Sequence, residues 1–223
     1  TSLSTGARPP QWRPDGQALL FVSTVYPGAA DDEANKKIAA ERKAQKYRVR
    51  VYDKFPIRNW DRWLDDMQAH LFVQTLEPGA KAKDLLAGTK LVKERGFGGR
   101  SSDSADELDA VWTPDGNAIV FVATTNPDAA AYAMTNTSLF KVSTTGGEPV
   151  RLTTSGDSFS RPMFRPDSKA LYAIFNANSD KNVYNLDRLA KLSWPDARQP
   201  VILTTSFDRA VGSYAFTPDS RSI

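Results

Sequence analysis

The chain has no cysteine. That excludes disulfides, thiolate metal sites and cysteine nucleophiles. It leaves the compartment open, because 223 residues can bury a core that needs no covalent staple. Histidine occurs once, as His70. With no histidine cluster, no H-E-x-x-H and no calcium-loop spacing, neither a metal nor any other cofactor is expected. G-x-S-x-G, the usual turn for a serine nucleophile, is also missing. A lone histidine in a strand-like stretch reads as a packing or surface residue, and no catalytic residue is assigned. No apolar run approaches the roughly 18 residues that a spanning helix requires, so no membrane span is expected. The opening TSLSTGARPP contains no basic-then-apolar signal region, as a trimmed start also would not. Net charge is only +3.

Against these absences stands a repeat. Four segments, QWRPDGQALLFVST, VWTPDGNAIVFVAT, MFRPDSKALYAIF and AFTPDSRSI, each carry an aromatic, one further residue, and Pro-Asp-Gly or Pro-Asp-Ser. The aromatics are Trp12, Trp112, Phe164 and Phe216, and Asp115, Asp167 and Asp219 are spaced 52 apart. A period near 50 marks a repeat architecture. Each copy is a hairpin corner. Proline presets φ at the first central position of a type I turn, aspartate suits the second, and glycine takes the following left-handed position. Ser168 and Ser220 replace that glycine in copies three and four, at some cost in strain.

In copy two, Ala110–Trp112 and Ile119–Ala123 read as strands, followed by Ser138–Val142, a Gly146-Gly147 turn and Pro149–Leu152. Copy three has the same order, with Asn182–Leu186 expected as its third strand and Pro200–Thr204 as its fourth. Four antiparallel strands per repeat define an all-β fold, a β-propeller of four-stranded blades. The expected boundaries are blade one at 10–100, blade two at 109–156, blade three at 160–208 and the start of a fourth at 212–223. Propellers usually close with four or more blades. The expectation is therefore a segment of a longer protein, or association of several segments.

Blade one is longer because it holds a partly helical insertion, 25–68, between its second and third strands. Asp31, Asp32 and Glu33 precede Lys36, Lys37, Arg42, Lys43, Lys46, Arg48 and Arg50, a charge order that suits a helix dipole. Without interleaved aromatics the basic run reads as a solvated helix, not a nucleic-acid contact. The acidic run Asp103, Asp106, Glu107 and Asp109 reads as a solvated connection, and the glycines of ERGFGGR do not form a phosphate cradle. The remaining candidate is DKFPIRNWDRWLDD, in which Arg58, Trp60, Asp61 and Trp63 stand together. An aromatic beside a carboxylate can hold the ammonium end of a peptide and its side chain. The alternative is that Trp60 and Trp63 pack the insertion onto the blade while Asp65-Asp66 makes a turn.

The W-x-P-D-G repeats resemble the propeller repeat of periplasmic TolB and of prolyl-oligopeptidase-family serine peptidases. The segment YRVRVYDKFPIRNWDRWLDDMQAHLFV looks like the blade-one insertion of bacterial dipeptidyl-peptidase V and acylaminoacyl-peptidase-like enzymes, through Tyr52, Asp53, Arg58, Trp60, Asp61 and His70 to Val73. The resemblance implies a parent enzyme with a C-terminal α/β-hydrolase domain carrying the serine, aspartate and histidine. It implies a propeller that restricts access and helps to hold the N-terminus of a peptide substrate. It also implies a periplasmic or secreted location, a cytoplasmic one being the alternative, and allows a homodimer. The double-glutamate anchor of dipeptidyl-peptidase IV has no match here. The competing expectation is a TolB-like propeller that binds proteins and catalyses nothing.

Overall fold

The computed structural model describes residues 2–52, 55–100, 106–132, 135–167, 170–178 and 184–223. Asp53, Asp103, Ser168, Asn182 and Val183, all used in the sequence reading, lie outside them.

The first sheet starts with β1 (Arg8–Trp12) and β2 (Ala18–Val25). The chain then runs through α1 (Asp32–Ala44) and a short hairpin, β3 (Arg58–Asn59) and β4 (Arg62–Trp63). It returns as β5 (Gln68–Thr75) and β6 (Lys83–Asp84), giving the order β1-β2-β5-β6. The second sheet holds β7 (Val111–Trp112), β8 (Ala118–Ala123), β9 (Ser138–Ser143) and β10 (Val150–Arg151). The third holds β11 (Ser158–Phe164), β12 (Ala170–Asn176), β13 (Arg188–Ser193) and β14 (Val201–Ile202). Each is a four-stranded antiparallel sheet with its strands in chain order.

The corner turns follow one chemistry. Gly16, Gly116 and Ser220 donate their backbone N–H to the carbonyls of Arg13, Thr113 and Thr217 at 2.8, 2.8 and 2.9 Å. All three have positive φ, +71°, +67° and +58°. Each aspartate accepts from the residue two positions before it: Asp15 from Arg13 at 2.7 Å, Asp115 from Thr113 at 2.6 Å, Asp167 from Arg165 at 2.8 Å and Asp219 from Thr217 at 2.6 Å. The same Asp15, Asp115 and Asp219 oxygens also accept the N–H two residues on, an Asx-turn that closes the hairpin.

Alternation within the strands stacks the sheets. From β8, Ile119, Phe121 and Ala123 join Leu20, Leu71 and Val73 of the first sheet in one core. Val120 and Val122 face the other way and join Phe159, Leu171, Ala173 and Leu192 of the third. Burial on both faces is why β8 reads as an unbroken apolar run and not as an alternating one. The first strands of successive sheets are also tied together. Gln11 donates to the Ala110 carbonyl at 2.7 Å, Trp112 Nε1 to the Gln11 carbonyl at 3.2 Å, and the Arg161 N–H to Asp109 at 3.0 Å.

Three local readings change. The third strand of the third sheet is Arg188–Ser193, whereas Tyr184–Leu186 form no strand. The pairing Leu171↔Leu192 and Ala173↔Ala190 places β13 apolar residues on the buried face, which decides between two equally alternating segments. The acidic run is not merely solvated: Glu107 and Asp109 clasp Arg100, Asp109 at 2.9 and 3.0 Å, while Asp106 accepts the Gly99 N–H at 3.1 Å. The neighbouring glycines permit close backbone approach, since a Cβ at Gly96 or Gly99 would lie 2.3 Å from Thr125 O or 2.5 Å from Glu107 O. Residues 212–223 form no strand; their corner turn is made, and Tyr214 and Phe216 pack on Ala170, Tyr172 and Leu189 of the third sheet.

Candidate functional site

The insertion between β2 and β5 is built from a capped helix and a hairpin. Asp31 caps α1 by accepting the Ala34 N–H at 2.8 Å, Asp32 and Glu33 occupy the first turn, and Arg42 and Lys43 the last. Lys36 pairs with Asp32 and Glu33 at 2.9 Å each. Burial of Asp32 opposes its ionisation, but Ser4 and Lys36 together hold its carboxyl below the usual range. Buried Asn35 accepts the Tyr26 N–H at 2.8 Å and anchors the helix to the end of β2. Arg42 makes a two-pronged contact with Asp66, 2.6 Å for each prong, and stacks over Tyr26 at 4.3 Å. Asp65 accepts the Met67 N–H at 3.0 Å, turning the chain into β5.

The hairpin pairs Arg58 with Trp63 and Asn59 with Arg62. Arg58 and Trp63 are thereby brought together, the guanidinium carbon 5.8 Å from the Trp63 ring centre, and Tyr52 lies on the same ring at 6.1 Å. Trp60 and Asp61 form the turn, with Trp60 at φ +54°. Trp60 is 90% exposed and Trp63 52% exposed. Trp60 therefore does not pack the insertion onto the sheet, and Trp63 contacts the insertion's own Tyr52 and Arg58. Asp61 is exposed at the tip. The arrangement offers a cation, a carboxylate and two indole faces to solvent on one short hairpin, a set able to stack on and hydrogen-bond to an extended chain.

A second feature was not read from the sequence. His70 is buried in β5, its Nδ1 2.7 Å from Asp84 Oδ2 in β6. Ser23 lies opposite His70 in the β2–β5 pairing, so serine, histidine and aspartate share one face. They do not form a nucleophilic triad. Ser23 Oγ bonds to the Gly6 carbonyl at 2.6 Å and to Thr5 Oγ1 at 2.8 Å, while His70 Nε2 has no hydrogen-bond partner among the described residues. The His70 ring lines a cleft of about 870 Å³, none of whose lining residues is Arg58, Trp60, Asp61 or Trp63. Among the described residues no group of three or more His, Cys, Asp or Glu could hold a metal ion, and no helix is long and apolar enough to cross a membrane.

Stacked four-stranded antiparallel sheets, each entered through the same Pro-Asp corner, define a β-propeller-like protein. No protein-family model matches the chain. A curated relative is Dipeptidyl-peptidase 5 of Porphyromonas endodontalis, 27% identical over 159 residues, 70% of this chain and 21% of that protein. The chain thus spans about a fifth of that relative's length. Among solved structures it is similar to Pyrococcus horikoshii acylaminoacyl peptidase, with a TM-score of 0.52, 14% identity, and coverage of 93% of this chain and 26% of that one. A putative TolB from Agrobacterium tumefaciens gives a TM-score of 0.50 and 14% identity over 97% of this chain and 52% of that one. The structural likenesses carry fold alone, and the sequence relative is a dipeptidyl-peptidase.

Proposed function

We propose that this chain is the substrate-gating propeller of a serine exopeptidase that releases dipeptides or acylated residues from peptide N-termini. The observation that carries the reading is the sequence relationship to Dipeptidyl-peptidase 5, which extends over 70% of the chain. The chain contributes no nucleophile of its own; a C-terminal hydrolase domain of the same protein supplies serine, aspartate and histidine. The stacked sheets admit short or unfolded peptides and turn folded proteins away. The Arg58, Trp60, Asp61 and Trp63 hairpin meets the peptide, with Asp61 placed to receive an N-terminal ammonium and the indoles to receive an apolar side chain. Fixing the N-terminus fixes which bond reaches the nucleophile. Such an enzyme works in the periplasm or outside the cell.

The test is kinetic, on the full-length protein with dipeptidyl and acyl-aminoacyl reporter substrates. Asp61→Ala and Trp60→Ala raise KM several-fold or shift the cleavage position, with folding intact. Unchanged kinetics in both variants would remove the hairpin from the site. Absence of hydrolysis by the unaltered full-length protein would favour the second reading, a non-catalytic TolB-like propeller, to which the fold likeness also points.

A further inference from the structure

The basic run after α1 takes no part in that reading, and its last three members are not helical. α1 ends at Ala44 and its cap, Gln45, is already extended at ψ 134°, so Lys46, Arg48 and Arg50 lie beyond the helix. Residues 46–51 belong to no helix or strand, and all of them are exposed. Their sequence is nonetheless that of a strand: Tyr47, Val49 and Val51 alternate with Lys46, Arg48 and Arg50, and aromatic and β-branched residues favour pairing in a sheet. Among the described residues their main chain makes no hydrogen bond, so both edges of the segment are open. Nor do Lys43, Lys46, Arg48 and Arg50 enter any ion pair among those residues; the acids of α1, Asp32, Glu33 and Glu41, pair with Lys36 and Lys37, and Asp66 pairs with Arg42. The segment is held at both ends, by α1 before it and after it by Tyr52, whose hydroxyl donates to the Leu64 carbonyl at 3.0 Å and whose ring lies 6.1 Å from that of Trp63. Fixed ends lower the entropy that pairing must overcome. Strand addition uses such a segment: main-chain bonds supply affinity and side chains supply specificity. Paired, the segment sets Lys46, Arg48 and Arg50 on one face and Tyr47, Val49 and Val51 on the other. A two-stranded ladder alone is marginal in water, so its partner must match both faces.

We propose that residues 46–51 take up an extended acidic peptide as an added β-strand, its acidic side chains opposite Lys46, Arg48 and Arg50 and its apolar ones opposite Tyr47, Val49 and Val51. From Lys43 to Tyr52 the chain carries four cations and no acid, so the partner that complements it alternates acidic and apolar residues. A second copy of the segment does not fit, because self-pairing sets cations against cations, or against valine when it slips by one residue. A nucleic acid or an anionic membrane would use the cations but leave the main-chain edge unused. The site does not include the hairpin of Arg58 and Trp63, and binding there requires no peptidase activity.

The test is binding of a fluorescein-labelled, end-blocked peptide of sequence EVETEV to the full-length protein, read by anisotropy, with amide hydrogen exchange reporting on residues 46–51. EVETEV binds and slows exchange across 46–51. EEETVV, of the same composition and charge but without the alternation, binds about tenfold more weakly, the size of a few cross-strand pairs. KVKTKV, of opposite charge, does not bind. In the Arg48→Glu, Arg50→Glu double variant the preference inverts, so that KVKTKV binds and EVETEV does not. Both arginines are exposed and without a partner among the described residues, so the Tm of the variant is unchanged. Equal affinity for EVETEV and EEETVV, binding of EVETEV without protection at 46–51, or an EVETEV affinity unchanged in the double variant overturns the proposal. Exchange at 46–51 slowed by single-stranded RNA or by phosphatidylserine vesicles, and not by EVETEV, overturns it in favour of those partners.

Discussion

Gly16 and Gly116 occupy equivalent corners, at φ +71° and +67°, yet their surroundings differ. A Cβ on Gly16 meets nothing within 4 Å, whereas one on Gly116 meets Arg13 Cγ at 3.1 Å and Cδ at 3.2 Å. Alanine at either position enters the left-handed region at a cost of about 1–2 kcal/mol. Gly116→Ala adds the displacement of a flexible arginine stem. Urea unfolding should therefore show Gly116→Ala less stable than Gly16→Ala by a few tenths of a kcal/mol to about 1 kcal/mol. Equal losses would mean that Arg13 swings away freely. These corners are legible in sequence because proline, aspartate and glycine act on their own backbone within four residues. The His70–Asp84 pair is not legible: it joins positions 14 apart through the diagonal of the β5–β6 register, which no local pattern specifies.

Among the elements, the third sheet and the insertion show where local patterning stops deciding. The segment around Tyr184–Leu186 alternates as well as Arg188–Ser193 does, and only pairing with β12 selects the second. The hairpin residues Arg58, Trp60, Asp61 and Trp63 were nameable from composition alone, but exposure separates an outward-facing surface from a packing role. At 90% exposure, Trp60 has little to lose on truncation, and Trp60→Ala should change unfolding free energy by less than about 0.5 kcal/mol. Leu71 in β5 is fully buried between the first and second sheets, and Leu71→Ala should cost about 2–5 kcal/mol. Parallel denaturant titrations check both. A loss above about 1 kcal/mol for Trp60→Ala would return that tryptophan to a structural role and take it out of the proposed peptide contact.

Across the whole molecule, the corner carboxylates act in concert, because an equivalent aspartate closes the first, second and fourth corners. Donation from Arg13 and the Gln17 N–H holds Asp15 below the usual carboxylate range. The Thr113 hydroxyl and the Asn117 N–H do so for Asp115, and the Thr217 hydroxyl and the Arg221 N–H for Asp219. A carboxyl depressed by folding stabilises the native state fully above its unfolded pKa, near 3.9, and that contribution disappears as pH falls through the lower folded value. Stability should thus be level from neutral pH to about 5 and fall once the pH drops below about 4. Since the turns share in closing adjoining hairpins of stacked sheets, the fall should be one cooperative transition and not a series of local openings. In the Asp15→Asn, Asp115→Asn double variant, the neutral-pH Tm should drop while the decline in acid becomes shallower, because two of the protonation-linked groups no longer titrate. Calorimetry across pH 2.5–7, an interval of about 4.5 units around the carboxylate range, tests this. A variant whose Tm declines in parallel with the parent would show that other carboxylates, with Asp32 beside Ser4 and Lys36 the first to examine, carry the acid sensitivity of the stack.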